Sequence, residues 1–175
     1  MRAYVIFGSP NPDGHTATAV DKLLAELKIK DAEKFSCYDS YIAPCTDCKG
    51  CKTGEKCAVE DDFGKLEREA RRADLLIFAY PLYFDGVPAP MKAVIDRMQP
   101  FYMAEKVTGR LPVGTAKAVA IVTMGGDGPK CPVPDGILTF VSRAFGASYI
   151  GHAAVKHTDT KPDYSELNEL IGGLI

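Results

Sequence analysis

The chain has 175 residues, 46% of them hydrophobic and 25% charged, with a formal net charge of −2. That length fits one domain able to bury a core without disulfide or metal staples. The slightly acidic balance excludes nucleic acid and anionic membrane surfaces as expected partners, because phosphate-rich surfaces attract a basic face.

The first apolar run, AYVIF (3–7), reads as a fully buried strand. It is too short for a signal peptide or a membrane span, so a cytoplasmic location is expected. Cysteines stay reduced in that compartment, and a tight group of them points to metal or redox chemistry over a disulfide framework. GSPNPDG then breaks the chain, and a helix from about Thr16 places Val20, Leu23, Leu24 and Leu27 on one face. KFSCYDS (34–40) is a weaker second strand, followed by CTDCKGCKTGEKC (45–57), which holds four of the six cysteines. DDFGKLEREARR (61–72) is a polar helix with acids in its first turn and bases in its last, matching the macrodipole.

DLLIFAY (74–80) is the strongest strand and stops at Pro81. PAPMKAVIDRM (88–98) opens a helix on prolines and lines up Met91, Val94, Ile95 and Met98. QPFYMAEKVTGRLP (99–112) reads as a long connection whose Phe101, Tyr102, Met103 and Leu111 are residues typical of interface cores. KAVAIVTM (117–124) is another buried strand, stopped by GGDG. A helix from about Asp135 groups Ile137, Phe140, Val141 and Ala144; ASYIGHAAV (147–155) is a fifth strand, and DYSELNELI (163–171) a closing helix.

Strands alternating with helices predict an α/β three-layer sandwich around a parallel sheet. In such sheets ligands sit at the carboxyl ends of the strands, beside a switch in strand order. Three loops are singled out: those after Phe7, Tyr80 and Met124. The first, GSPNPDGHTAT, brings the hydroxyls of Ser9, Thr16 and Thr18 and the amide of Asn11 to a helix start, where unpaired N–H groups favour an anion. An ordinary capped turn has the same composition. The loop lacks the lysine of a Walker motif and the G-x-G-x-x-G of a dinucleotide turn, so a monophosphate held by neutral donors fits better. A cysteine phosphatase would need C-x5-R, and no cysteine has that spacing. A phospho-receiver would need paired acids where Gly8 and Ser9 stand.

GSPNPDGHT, PCTDCKGCKTGEKCAVEDD and YPLYFDGVPAPMKAVIDR together resemble the NAD(P)H-dependent FMN reductase family of flavodoxin-like proteins. Within it the chain is most similar to the iron–sulfur flavoprotein branch, over about residues 1–128. The resemblance implies a five-stranded sheet of order 2-1-3-4-5, FMN at the strand ends, and NAD(P)H as electron donor. It also implies a homodimer or homotetramer with the flavin near a subunit boundary. Ser9, Asn11, His15, Thr16 and Ala17 match the family's FMN-phosphate loop, with His15 in place of its common asparagine. Pro81, Leu82, Tyr83, Phe84 and Gly86 match the isoalloxazine loop, where a flat ring needs an apolar slot edged by backbone N–H groups. Core packing is the competing reading of Tyr83 and Phe84. Thr123, Gly125 and Gly126 are a third candidate cofactor-facing stretch, since glycine lets the backbone approach a ligand closely; a simple turn is an equally good reading.

C-x2-C-x2-C resembles the first three ligands of a bacterial ferredoxin run, with the fourth cysteine five residues on and no proline after it. Cys45, Cys48, Cys51 and Cys57 are therefore candidate ligands of a [4Fe–4S] cluster, with zinc or free thiols as the alternatives. Lys49, Lys52 and Lys56 would lower the thiol pKa values and offset the cluster's charge. Cys37 reads as a core residue and Cys131 as an inert loop thiol; Asp96 and Arg97 read as a solvated or structural helix pair; His152 and His157 take no role. The expected function is an FMN-dependent oxidoreductase passing electrons from NAD(P)H or a protein donor to an acceptor. The rivals are an FMN and iron–sulfur electron carrier without small-molecule turnover, and a metal–thiolate protein without flavin.

Overall fold

The computed structural model describes residues 1–52, 57–109, 114–130 and 132–175. Five strands, β1 (Arg2–Phe7), β2 (Asp31–Ser36), β3 (Leu75–Pro81), β4 (Ala116–Thr123) and β5 (Ala147–Val155), form one parallel sheet of order β2-β1-β3-β4-β5. Six helices accompany them among the described residues: α1 (His15–Glu26), α2 (Phe63–Ala70), α3 (Ala89–Asp96), α4 (Gln99–Thr108), α5 (Asp135–Ala144) and α6 (Ser165–Leu174). The order and the covering helices make this a flavodoxin-like sandwich, as expected.

Alternate strand residues feed two cores, because successive side chains leave a strand on opposite faces. Ala3, Val5, Phe7, Ile77 and Ile121 pack under α1 and α6, against Val20, Leu23, Leu167 and Ile171. Tyr4, Ile6, Phe78, Tyr80 and Val122 pack under α2 to α5, against Leu66, Met91, Val94 and Leu138. At the sheet's edge β5 carries an extra residue opposite Ala118 and Val119, and Gly151 sits there at φ 140°, which only glycine adopts without strain.

Two elements differ from the sequence reading. β2 starts three residues before the expected run and ends at Ser36, so Cys37–Ser40 form a turn. It is an edge strand with a mostly exposed burial pattern, so its polar first half carries no apolar signal. Residues 99–108 form α4 instead of a connection, with Pro100 in the first turn and Gly109 closing the end in the left-handed region. Its Phe101 is buried edge-on to Phe145, while Tyr102 is half-exposed beside Phe140. Leu111, Lys56 and Cys131 lie outside the described residues.

Candidate functional site: three strand-end loops and a thiol recess

β1, β3 and β4 deliver the three loops to one end of the sheet. Phe7 pairs with Ala79 and Pro81 with Thr123, so the loops leave adjacent strands at nearly one level. In the first loop the Asn11 N–H donates to Ser9 Oγ at 3.2 Å and the Asp13 N–H to Asn11 Oδ1 at 3.1 Å. Those bonds curl the loop on itself. They leave α1 without a side-chain cap at Gly14. The backbone N–H groups of His15, Thr16 and Ala17 consequently have no partner among the described residues. Ser9 and Thr16 are buried polar side chains at this helix start, and His15 is exposed. The Thr16 and Thr123 hydroxyls share a hydrogen bond of 2.7 Å, which ties the first loop to the end of β4. A buried helix start with free donors and hydroxyls is the kind of arrangement that binds an anion. These residues fit the phosphate of a flavin mononucleotide.

The second loop is a tight turn. Tyr83 and Gly86 exchange both backbone hydrogen bonds at 3.0 Å, while Phe84 and Asp85 sit at φ 48° and 57°. Two consecutive left-handed non-glycine residues are strained, and such strain collects at ligand clamps. Tyr83 is half-exposed and Phe84 fully so, which removes core packing as their role. The Leu82 N–H donates to the Thr123 carbonyl at 2.9 Å, joining this loop to the third.

The third loop is braced by the segment after β5. The Thr158 N–H bonds the Met124 carbonyl at 3.1 Å, the His157 N–H bonds the Gly126 carbonyl at 3.4 Å, and His157 Nε2 stands 3.2 Å from Asp127. A side chain at Gly125 would meet the Asp159 carboxylate, which would have to swing aside. His157 thus has a structural task that no local pattern announced. His152 likewise joins Tyr149 on the Asp135 carboxylate, at 3.0 and 2.7 Å. Burial and that bond both raise the Tyr149 phenol. Burial also pushes the Cys37 thiol up to about 12, in keeping with a core cysteine.

Cys45, Cys48, Cys51 and Cys57 line a single recess, with Lys49, Lys52, Arg97 and Met103 among its walls. Asp47 and Lys49, both left-handed, curl the chain around Cys48, and a short 3-10 turn, Gly50–Lys52, carries Cys51. Lys49 is paired with Asp47. Among the described residues no three side chains stand close enough to hold a metal ion. The donor set suits a cluster, and the recess gathers it on one wall without closing it.

Arg97 is the correction of most consequence. It is 1% exposed and forms a two-pronged ion pair with Asp61, at 2.5 and 3.2 Å, while Asp96 pairs with Lys92 on the surface. Asp61 is therefore no helix-dipole acid: α2 begins after it, with no acid in the first turn. Burial works against both charges, but the pairing and, for Asp61, the N–H groups of Ala43 and Phe63 outweigh it. The carboxyl ends below its ordinary value and the guanidinium above.

Fold and loops together define a flavodoxin-like protein with a buried, uncapped helix start at its strand ends. The comparisons carry this further: residues 1–155 match the family model described as NADPH-dependent FMN reductase, and the chain belongs to that oxidoreductase family. An iron–sulfur flavoprotein of Methanocaldococcus jannaschii is 33% identical over 123 residues, 67% of this chain and 64% of the relative. One of Archaeoglobus fulgidus is 32% identical over 155 residues, 87% of this chain and 67% of the relative. The chain thus spans about two thirds of the length of the curated relatives it matches. An FMN-dependent NADH-azoreductase from Bacillus anthracis, solved with FMN, superposes with TM-score 0.67 at 15% identity, covering 99% of both chains. An NAD(P)H:quinone oxidoreductase from Methanothermobacter marburgensis does so with TM-score 0.66 at 17% identity, covering 99% of this chain and 92% of the other. Both likenesses concern the fold.

Proposed function

We propose that this chain is a single-domain, cytoplasmic FMN-dependent oxidoreductase that takes electrons from NAD(P)H or a protein donor and passes them to an acceptor through a [4Fe–4S] cluster held by Cys45, Cys48, Cys51 and Cys57. The observation that carries the reading is the uncapped start of α1, where three free N–H groups meet buried hydroxyls beside two further strand-end loops. The His15, Thr16 and Ala17 N–H groups, with Ser9 and Asn11, hold the phosphate. Pro81, Leu82, Tyr83, Phe84 and Gly86 frame the ring, and Thr123, Gly125 and Gly126 close its edge. Bound FMN would supply the hydride and single-electron chemistry, as cofactors generally do. The chain's part is to bind, orient and exclude water, and no side chain is assigned as acid, base or nucleophile.

The names of the relatives favour the cluster, and so does the common recess of the four thiols. Protein prepared without oxygen should release FMN on denaturation and contain iron with acid-labile sulfide. Cys48→Ala should lose the iron and keep the flavin. Flavin without iron in the anaerobic protein overturns the cluster. Steady-state NAD(P)H oxidation separates an enzyme from the alternative, an FMN and iron–sulfur carrier without turnover.

A further inference from the structure

The segment that carries the thiols is closed at its base by an uncommonly complete set of bonds. The Asp62 N–H donates to the Tyr41 carbonyl at 3.1 Å, and the Tyr41 N–H returns to Asp62 Oδ2 at 2.8 Å. One step inward, the Ala43 N–H donates to Asp61 Oδ2 at 2.9 Å. Arg97, from the end of α3, fills the space between: it donates to the Ala43 carbonyl at 2.9 Å, the Val59 carbonyl at 3.1 Å and both Asp61 oxygens. Its guanidinium also lies over the Phe63 ring, 5.1 Å from the centroid. The same side chain lines the thiol recess, and the Cys57 thiol lies against it. Its Nε is buried with no partner among the described residues.

We propose that the Arg97–Asp61 pair is the latch of the cysteine segment, and that Arg97 is the positioning residue of the thiol centre. The role at the centre rests on the reading of the recess as a cluster site; the latch itself does not. Only a planar five-donor fork can reach both carbonyls and both carboxylate oxygens at once, which a lysine cannot. Holding residues 43 and 59–61 at the end of α3 fixes the chain on either side of Cys45 and Cys57, so the four sulfurs line one recess. The Arg97 guanidinium against the Cys57 thiol puts a fixed positive charge beside the recess, which suits a negatively charged sulfur centre.

The test uses the full-length protein. In the metal-free wild type, hydrogen exchange at the Ala43 and Phe63 amides should be as slow as in the central strands. Exchange at open-loop rates there overturns the latch without any variant. Arg97→Lys and Asp61→Asn should keep the FMN content of the wild type. In both, alkylation of the half-buried Cys51 and Cys57 in metal-free protein should quicken by about tenfold or more as the base opens. Protein of either variant made without oxygen should retain less than half of the wild-type iron. Unchanged alkylation and iron in folded Arg97→Lys overturn the proposal. If the anaerobic wild type holds no iron, the positioning role falls with the cluster, and exchange and alkylation still decide the latch.

Discussion

At the scale of single residues, Thr16 and Arg97 show how little a side chain's type says about its task. Thr16 stands in the sequence as one hydroxyl among several in a polar loop; in the fold it is buried and bonded to Thr123, more than a hundred residues away. Thr16→Val should therefore act twice. It leaves the Thr123 hydroxyl without its partner, and it removes a donor beside the phosphate. A charge-assisted bond is worth about 1.5–3 kcal/mol, so FMN affinity should fall by about tenfold or more in titration of the apoprotein. Undiminished affinity would take Thr16 out of the site. Arg97 looked like an ordinary helix-end cation until its partner, 36 positions upstream, was in place.

At the scale of elements, the Asp61–Arg97 pair makes the base of the cysteine segment sensitive to acid. The folded-state pKa of Asp61 lies below its ordinary 3.8. Its stabilisation is therefore complete above that value and is lost as pH falls through the folded pKa. Urea midpoints should drop as the pH falls below the ordinary 3.8 in the wild type, and less steeply in Asp61→Asn. At neutral pH that variant should be less stable by about 3–5 kcal/mol, because Arg97 is left charged and buried without its counter-ion. α4 offers an internal contrast. Phe101→Ala should destabilise by about 3–5 kcal/mol, since the ring is buried against Phe145. Tyr102→Ala should shift thermal unfolding by about 1 kcal/mol or less, its ring being half-exposed.

At the scale of the whole molecule, the turn after β3 and Arg97, which lines the thiol recess, lie at opposite ends of α3. Eight helical residues separate the strand-end turn from Arg97, about 12 Å along the axis. The half-exposed Tyr102 and Ile137 flank Phe140 on the α4–α5 face. We expect at least a dimer by light scattering, with Ile137→Glu shifting it toward monomer if that face is the contact. A concentration-independent monomer with full FMN occupancy would count against assembly.

The alternation of strands and helices, the parallel sheet between two helical layers and the positions of the three loops were legible in the sequence because each rests on local signals, whereas the strand order came only with the family resemblance. Continuous apolar runs mark buried parallel strands, and glycine and proline mark where they stop. AYVIF and ASYIGHAAV became strands nearly to the residue. What escaped was set by contacts between distant segments. The polar edge strand has no apolar period to read. α4 hides behind the aromatic content of a stretch that looks like a linker. The bracing of Gly125 and Gly126 by residues 157–159 exists only because β4 and β5 are neighbours. The four cysteines were plain from the start, and their spacing left a cluster, zinc and free thiols as the readings. Only the folded chain decided where they stand, because an arginine and an aspartate far apart in sequence close the base of their segment.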